Sequence, residues 1–532
     1  MVAAMSKGLK KLALVRSMVA IGHNFKRNPE SQQAVKAMLP SWQRCYRGLV
    51  AGILTSSSLL SQCWLPKPGI AQPIESYCQF TKEAIAEKQN LLKGSLKDNA
   101  DAQKRYKVLL KEHAEDLKKC RSQNWPRNQS VWLRLYPCDS RPGALDDILD
   151  RIVNQGYNQV NLEVFGDSQV LLPFSDNPTP WPSVVRAPGR EKVDLLAQVI
   201  KKGHERGLRV YAWLFTMNFG YTYALRPDRE SALARNGKGE TTLYLDPEGT
   251  QAFIDPYSQQ AKVDYYRLVQ AVLQRKPDGI LFDYIRYPRG TGTKSVATKV
   301  QDLWIYGNSA RLAMYARAMN NKGRVLIQRF LSYGAISIGD IEAVDRLYPQ
   351  EGPPLWQGRT PLPSEMQATA QARLPLLQWQ LWQLSVAHAA QGILDFVNLA
   401  VKSANDKGVK AGTVFFAEAN QGIGQVGYDS RLQPWDRFSS SIEWHPMVYG
   451  VCGKTICIEN QVKRVLSKAP PGTQVTPALA GLWGRPWNNR PSLEAQMQAI
   501  HKSSPKINSI SHFAFSWQNP DLDRDRKSCR LQ

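Results

Sequence analysis

From Val131 to Trp517, short apolar runs alternate with stretches in which leucine, isoleucine and valine recur every three to four positions. Apolar runs bounded by turns read as buried parallel strands, and the 3.6-residue period reads as helix. Eight strands are predicted: VWLRLY at 131–136, VNLEVF at 160–165, RVYAWLF at 209–215, GILFDY at 279–284, GTVFFAE at 412–418, SIEWHPMVY at 441–449, TQVTPALAG at 473–481 and SHFAFSW at 511–517. Helical stretches such as GALDDILDRIVNQG, KVDLLAQVIKKGHERG and KVDYYRLVQAVLQRK lie between many of them. This alternation predicts an α/β fold, a (β/α)8 TIM barrel over 131–520. An open doubly wound sheet competes, but no glycine-rich phosphate loop follows the first strand.

The pattern breaks after the fourth strand. An insertion at 289–375 holds GTGTKS, a helical stretch and PQEGPPLWQGRTPLP, and a long helix with WQLWQL then returns the chain to strand five. Loops after barrel strands lie on the catalytic face, so the insertion is expected to wall or cover the pocket. Ahead of the barrel, 73–124 predicts a helical hairpin, either a spacer or a packing appendage.

The 532 residues carry a formal net charge of +24, which admits nucleic acid, anionic lipid or an acidic polymer as partner. Ten lysines and arginines against one acid precede Gln72, so part of the excess belongs to the first 71 residues. No basic run with regular aromatic interleaving follows, which argues against nucleic acid. Residues 48–65 are uncharged, follow Arg44 and Arg47, and precede a small-x-small site at Gly69, Ile70 and Ala71. Residues 1–71 therefore read as a secretory leader, with Met38 as an alternative start. The competing reading is an uncleaved membrane anchor over 48–65. Export to the periplasm or cell envelope is expected.

Six cysteines remain beyond the leader, at 78, 120, 138, 452, 457 and 529, an even number that fits disulfides in an oxidising compartment. Cys78 and Cys120 are placed to staple the hairpin, and Cys452 and Cys457 to close a small loop. Fifteen pairings remain open. Neither a metal nor an organic cofactor is expected.

Barrel chemistry is built from strand ends and the loops after them. Those ends offer Glu163 on the second strand, Asn218 after the third, and Asp283, Tyr284, Arg286 and Tyr287 on the fourth. The fifth offers Glu418 and Asn420, the sixth Glu443, His445 and Tyr449, and the last two Trp483 and Trp517. Carboxylates with indoles suit a sugar polymer: two carboxyls cleave a glycosidic bond, and aromatic faces stack on sugar rings. Asp283 is expected as nucleophile, kept ionised by Arg286, and Glu418 as general acid, its pKa raised by apolar neighbours. Arg286, Tyr287, Glu163, Asn218, Asn420, Glu443, His445, Tyr449, Trp483 and Trp517 are expected to bind substrate.

DGILFDYIRYP, preceded by FIDPYSQQAKVDYYRLVQAVLQRKP, resembles the glycosyl-hydrolase-like ten family of (β/α)8 barrels. GLRVYAWLF and HPMVYG look like that family's third and sixth strands. An acid at strand four followed by Glu at strand five is more distantly similar to the alpha-amylase clan, which implies the same nucleophile and acid. PALAGLWG, however, lacks the clan's seventh-strand Asp, and TMNFG stands where the closer family often has Asn-Pro. The resemblance implies an exported glycoside hydrolase acting within a polysaccharide, with a cell-wall glycan as a reasonable substrate. The rival readings are a non-catalytic carbohydrate-binding protein and an anchored scaffold that works through its hairpin.

Overall fold

The computed structural model describes residues 77–244 and 249–531; the leader and anchor readings at 1–71 lie outside the described residues. The eight apolar runs become β1 Asn128–Leu133, β2 Gln159–Gly166, β3 Arg209–Phe215, β4 Gly279–Asp283, β5 Lys410–Phe416, β6 Glu443–Met447, β7 Ala478–Ala480 and β8 Ser509–Phe513. Each pairs in parallel with the next, and β8 returns to β1 with Asn128 opposite Ser509, so the sheet closes on itself. The protein is a (β/α)8 barrel. Helices cover the outer face of a closed sheet while side chains fill its interior, which is why these strands read as continuous apolar runs.

Small residues make room for large ones inside. A Cβ on Gly279 would fall 2.5 Å from the Tyr211 ring, and one on Gly412 would fall 2.7 Å from Leu281 and 3.1 Å from His445.

The hairpin forms from α1 Lys82–Ser95 and α2 Ala100–Gln123, with Cys78 disulfide-bonded to Cys120 across its base. It packs on the barrel rather than standing off it. Tyr106 of α2 donates to Asp150 of α3 (Ala144–Asn154) at 2.6 Å. Arg206, which follows α4 (Leu195–His204), reaches Asp150 at 2.8 Å, Asp146 at 3.0 Å and the Tyr106 hydroxyl at 2.8 Å. The other two disulfides join Cys138 to Cys529 and Cys452 to Cys457.

Asp255 of the FIDP element precedes α5 (Gln259–Leu273) and is fully buried. Its carboxylate accepts from the backbone N–H groups of Tyr257 and Ala310, both at 2.9 Å. Ala310 lies in α6 (Asn308–Tyr315), so this acid pins the start of the insertion to the barrel. The insertion continues through α7 (Asn321–Tyr333) and α8 (Ile338–Leu347) to the 36-residue α9 (Ala370–Asn405), which leads into β5. A small antiparallel sheet pairs Val296 and Ala297 with Asp429 and Tyr428, tying the insertion to the loop after β5.

Candidate active site

The C-terminal ends of the strands enclose a cavity of about 190 Å³. Its walls follow the two-residue period of inward-facing positions: Trp132 and Arg134 from β1 and just beyond, Trp213 and Phe215 from β3, Val414 and Phe416 from β5, Met447 and Tyr449 from β6 and just beyond, and Phe513 from β8. Asp283, at the end of β4, joins them with Tyr284 and Arg286.

Asp283 is 6% exposed and held from two sides. The Trp213 indole N–H donates to its Oδ2 at 3.1 Å, and the Tyr284 backbone N–H donates to its Oδ1 at 2.6 Å. That second bond comes from a tight turn: Tyr284 adopts φ +52°, a left-handed conformation that is strained for a residue with a bulky side chain. Burial pushes the Asp283 carboxyl up to about 6, and the Tyr284 N–H, Arg286 and Trp213 offset only part of this. Arg286 acts in the expected direction, lowering the Asp283 pKa, but burial outweighs it. Arg286 forms no ion pair among the described residues; its guanidinium lies 4.6 Å from the centre of the Tyr284 ring and 5.7 Å from that of Phe416.

A second carboxyl, Glu163, is tied to the cavity through Arg134. Arg134 donates from Nε to Glu163 at 2.7 Å and pairs through Nη1 with Asp167 at 2.9 Å, while its guanidinium lies 5.8 Å from the Trp213 ring centre. Burial pushes Glu163 up to about 7; Arg134 pulls it down, and the charges of Asp167 and Asp283 push it further up. Asp283 and Glu163 thus interact electrostatically, with Arg134 reaching both the cavity and Glu163.

Glu418 lies elsewhere. β5 ends at Phe416, the chain turns, and Glu418 accepts a hydrogen bond from Gln461 of α10 (Thr455–Lys468). Its neighbour Asn420 accepts from Arg464 of the same helix at 2.8 Å. Asn218 holds a turn, accepting from Gly220 and Ala252 at 3.2 and 3.0 Å. Tyr287 is fully buried, and burial raises its hydroxyl well above the ordinary range.

Glu443 lies toward the opposite end of the barrel, because it begins β6, and His445 is buried mid-strand, in register with Val414. Glu443 accepts from the Tyr211 hydroxyl at 3.2 Å and lies 3.2 Å from His445 Nε2. Burial raises its pKa, but His445, Lys410 and Tyr211 more than offset this and hold it below the usual range. Glu443 borders a larger cavity of about 430 Å³ at that N-terminal face.

Tyr449 lines the Asp283 cavity. Trp517 adjoins it, packing at 5.2 Å on Phe513 and 4.6 Å on Trp487. Trp483 donates to the Tyr157 hydroxyl at 3.1 Å, away from that lining. No residue of the insertion lines the Asp283 cavity. Those of α9 line a separate space of about 230 Å³ beside the loop after β5.

Trp132, Arg134, Trp213, Phe215, Phe416 and Phe513 were not among the expected site residues. Within a strand these positions are two apart, as in Trp132 and Arg134 or Trp213 and Phe215, since alternate side chains share a face.

Residues 131–310 match the family model described as Glycosyl hydrolase-like 10. A comparison with curated proteins finds no match. Among solved structures, the chain is similar to the PgaB (BpsB) glycoside hydrolase domain from Bordetella bronchiseptica, at 15% identity and TM-score 0.43, over 76% of this chain and 99% of that one. It is also similar to beta-N-acetylhexosaminidase from Bacteroides fragilis, at 9% identity and TM-score 0.38, over 76% of this chain and 64% of that one. A third is an inactive mutant of the GH20 exo beta-N-acetylglucosaminidase from Vibrio harveyi, at 10% identity and TM-score 0.36, over 75% of this chain and 52% of that one. These likenesses are too low to carry the fold, which rests on the closed strand register of this chain. The resemblance read from the fourth-strand motif is borne out as a match: the Glycosyl hydrolase-like 10 model aligns with residues 131–310, a stretch that includes that motif.

Proposed function

We propose that the protein is an exported glycoside hydrolase that cleaves an internal bond of a polysaccharide at the Asp283 cavity, with Asp283 and Glu163 as the working carboxyls. The observation that carries this reading is Asp283 itself, a buried acid in an aromatic-walled mouth with its pKa lifted to about 6. The family match supports glycoside chemistry, and three disulfides support an oxidising compartment.

Glycosidic cleavage needs one carboxyl that gives a proton to the leaving oxygen and one that attacks or activates water as carboxylate. The pair divides these roles by environment. Near pH 6.5 Asp283, at about 6, is largely ionised, whereas Glu163, at about 7, largely keeps its proton. Asp283 serves as nucleophile or base, and Glu163 as acid. Trp132, Trp213, Tyr449 and Phe513 supply stacking faces for sugar rings. Glu418, bonded to Gln461, takes no part in this pair.

The test is release of fragments from cell-wall and storage polysaccharides, followed against pH. The expected rate profile is bell-shaped, with its rising limb near 6 and its falling limb near 7, and these two values belong to the coupled pair. Glu163→Gln should lose the falling limb and about 10²–10⁴-fold in rate. Glu418→Gln should stay within about threefold of wild type, as expected for a residue outside the reacting groups. A Glu418→Gln loss as large as that of Glu163→Gln would overturn the assignment of the acid. Binding without release at any pH would replace the hydrolase with a carbohydrate-binding protein.

A further inference from the structure

We propose that Arg286 forms an anion-reading subsite in the Asp283 cavity, so that the glycan bound there carries a carboxylate, as a uronic acid does. The proposal rests on the glycan reading above and adds the charge of the substrate.

Arg286 is 7% exposed, yet its guanidinium meets no carboxylate among the described residues. Among the described residues its sole hydrogen bond runs from Nη1 to the Tyr287 carbonyl at 3.0 Å, and its buried Nε has no partner. Three aromatic rings surround it: Tyr284 at 4.6 Å, Phe253 at 5.7 Å and Phe416 at 5.7 Å from ring centre to guanidinium carbon. Ring faces recompense a cation in part, and Asp283 acts on it from a distance, but a buried guanidinium with no hydrogen-bonded carboxylate is costly, and proteins usually pair such groups directly.

Most other buried arginines among the described residues have a carboxylate partner: Arg206 has Asp146 and Asp150, Arg359 has Glu365, Arg373 has Asp345, Arg431 has Asp429, and Arg526 has Asp139. Arg121 is met by the carbonyls of Tyr77, Pro126 and Gly156 instead. Arg286 differs from all of these in lining a cavity while most of its donors go unused.

A planar guanidinium with spare donors matches the two oxygens of a carboxylate, and aromatic walls keep water from competing. Arg134 at the same cavity adds a second positive charge, although Glu163 and Asp167 already engage it. The chain's excess of basic residues favours the approach of an acidic polymer in the same sense.

The experiment compares oligouronides with neutral oligosaccharides of equal length by titration calorimetry, using the full chain as wild type, Arg286→Gln and Arg286→Lys. Wild type should bind the oligouronide at least about tenfold tighter than its neutral counterpart at low salt, as one charge-assisted pair provides. The preference should shrink as salt rises. Arg286→Gln should erase it, read as the ratio of the two affinities within that variant, and Arg286→Lys should restore part of it. Equal binding of both sugars by wild type, or a preference that survives in Arg286→Gln, overturns the anion subsite and leaves the glycan reading standing. Binding of neither sugar removes both.

Discussion

Asp283→Asn is expected to abolish glycan cleavage and, at the same time, to make the protein more stable at pH 7 to 8. The two effects share one cause. In the folded state burial lifts the carboxyl from about 3.8 to about 6. The native protein therefore binds this proton more tightly than the unfolded chain does. The carboxyl contributes stability in full below about pH 4 and loses it as pH rises through about 6. Two pKa units correspond to an upper bound of ~3 kcal/mol by which ionised Asp283 costs the fold at pH 8. Asparagine keeps an oxygen to accept from Trp213 or Tyr284 and carries no charge to desolvate. Urea unfolding at pH 8 should show a gain of about 1–3 kcal/mol for Asp283→Asn, vanishing at pH 4, alongside a loss in turnover of at least about 10³-fold. Equal stability of the two proteins at both values of pH would show that burial does not perturb this acid.

The largest loss of stability is expected at Arg206. Its side chain is 1% exposed and bridges Asp146 and Asp150 while donating to Tyr106 of the hairpin. Arg206→Met fills similar volume but leaves Asp150, 3% exposed, without its cation. Breaking a buried ion pair from one side costs about 3–5 kcal/mol. Lys88, 1% exposed and held down to about 8 chiefly by burial, is close enough to be influenced by Asp150. It offers partial replacement, so ~3 kcal/mol is the better expectation. Arg206→Met/Asp150→Leu, which removes both charges, should recover much of the loss. Limited proteolysis should cut α1 or α2 first in the single variant, since Tyr106 connects the hairpin to this cluster. A loss below about 1 kcal/mol would mean that the cluster is not what holds the hairpin.

The barrel was legible because every one of its strands is buried, and burial writes an apolar run directly into the sequence. Ends were harder to read than strands. β6 spans Glu443–Met447 within the predicted 441–449, so Glu443 stands at the start of the strand, away from the mouth, and His445 is buried at its middle. Glu418 has the same inward parity as Val414 and Phe416, but the strand stops at Phe416 and Gln461 of a later helix captures its side chain. No local pattern announces a partner 43 residues away.

The aromatic walls were missed for a related reason. Trp132, Trp213, Phe416 and Phe513 sit on four strands far apart in sequence, and only the closed register brings them to one cavity. In DGILFDYIRYP the motif itself divides by position. Asp278 binds the Val210 backbone N–H at 2.7 Å near the start of β3, Asp283 faces the cavity, and Tyr287 disappears into the core. Spacing alone shows that these residues are special without separating scaffold from chemistry.

The most direct measurement is a crystal structure of Asp283→Asn soaked with an oligosaccharide that the wild type cleaves or binds. The account predicts a sugar ring in the cavity between Trp132, Trp213 and Tyr449, with a glycosidic oxygen or anomeric carbon within hydrogen-bonding reach of the side chain at position 283. A sugar seated instead in the space beside α9, or at the N-terminal face beside Glu443, would contradict it.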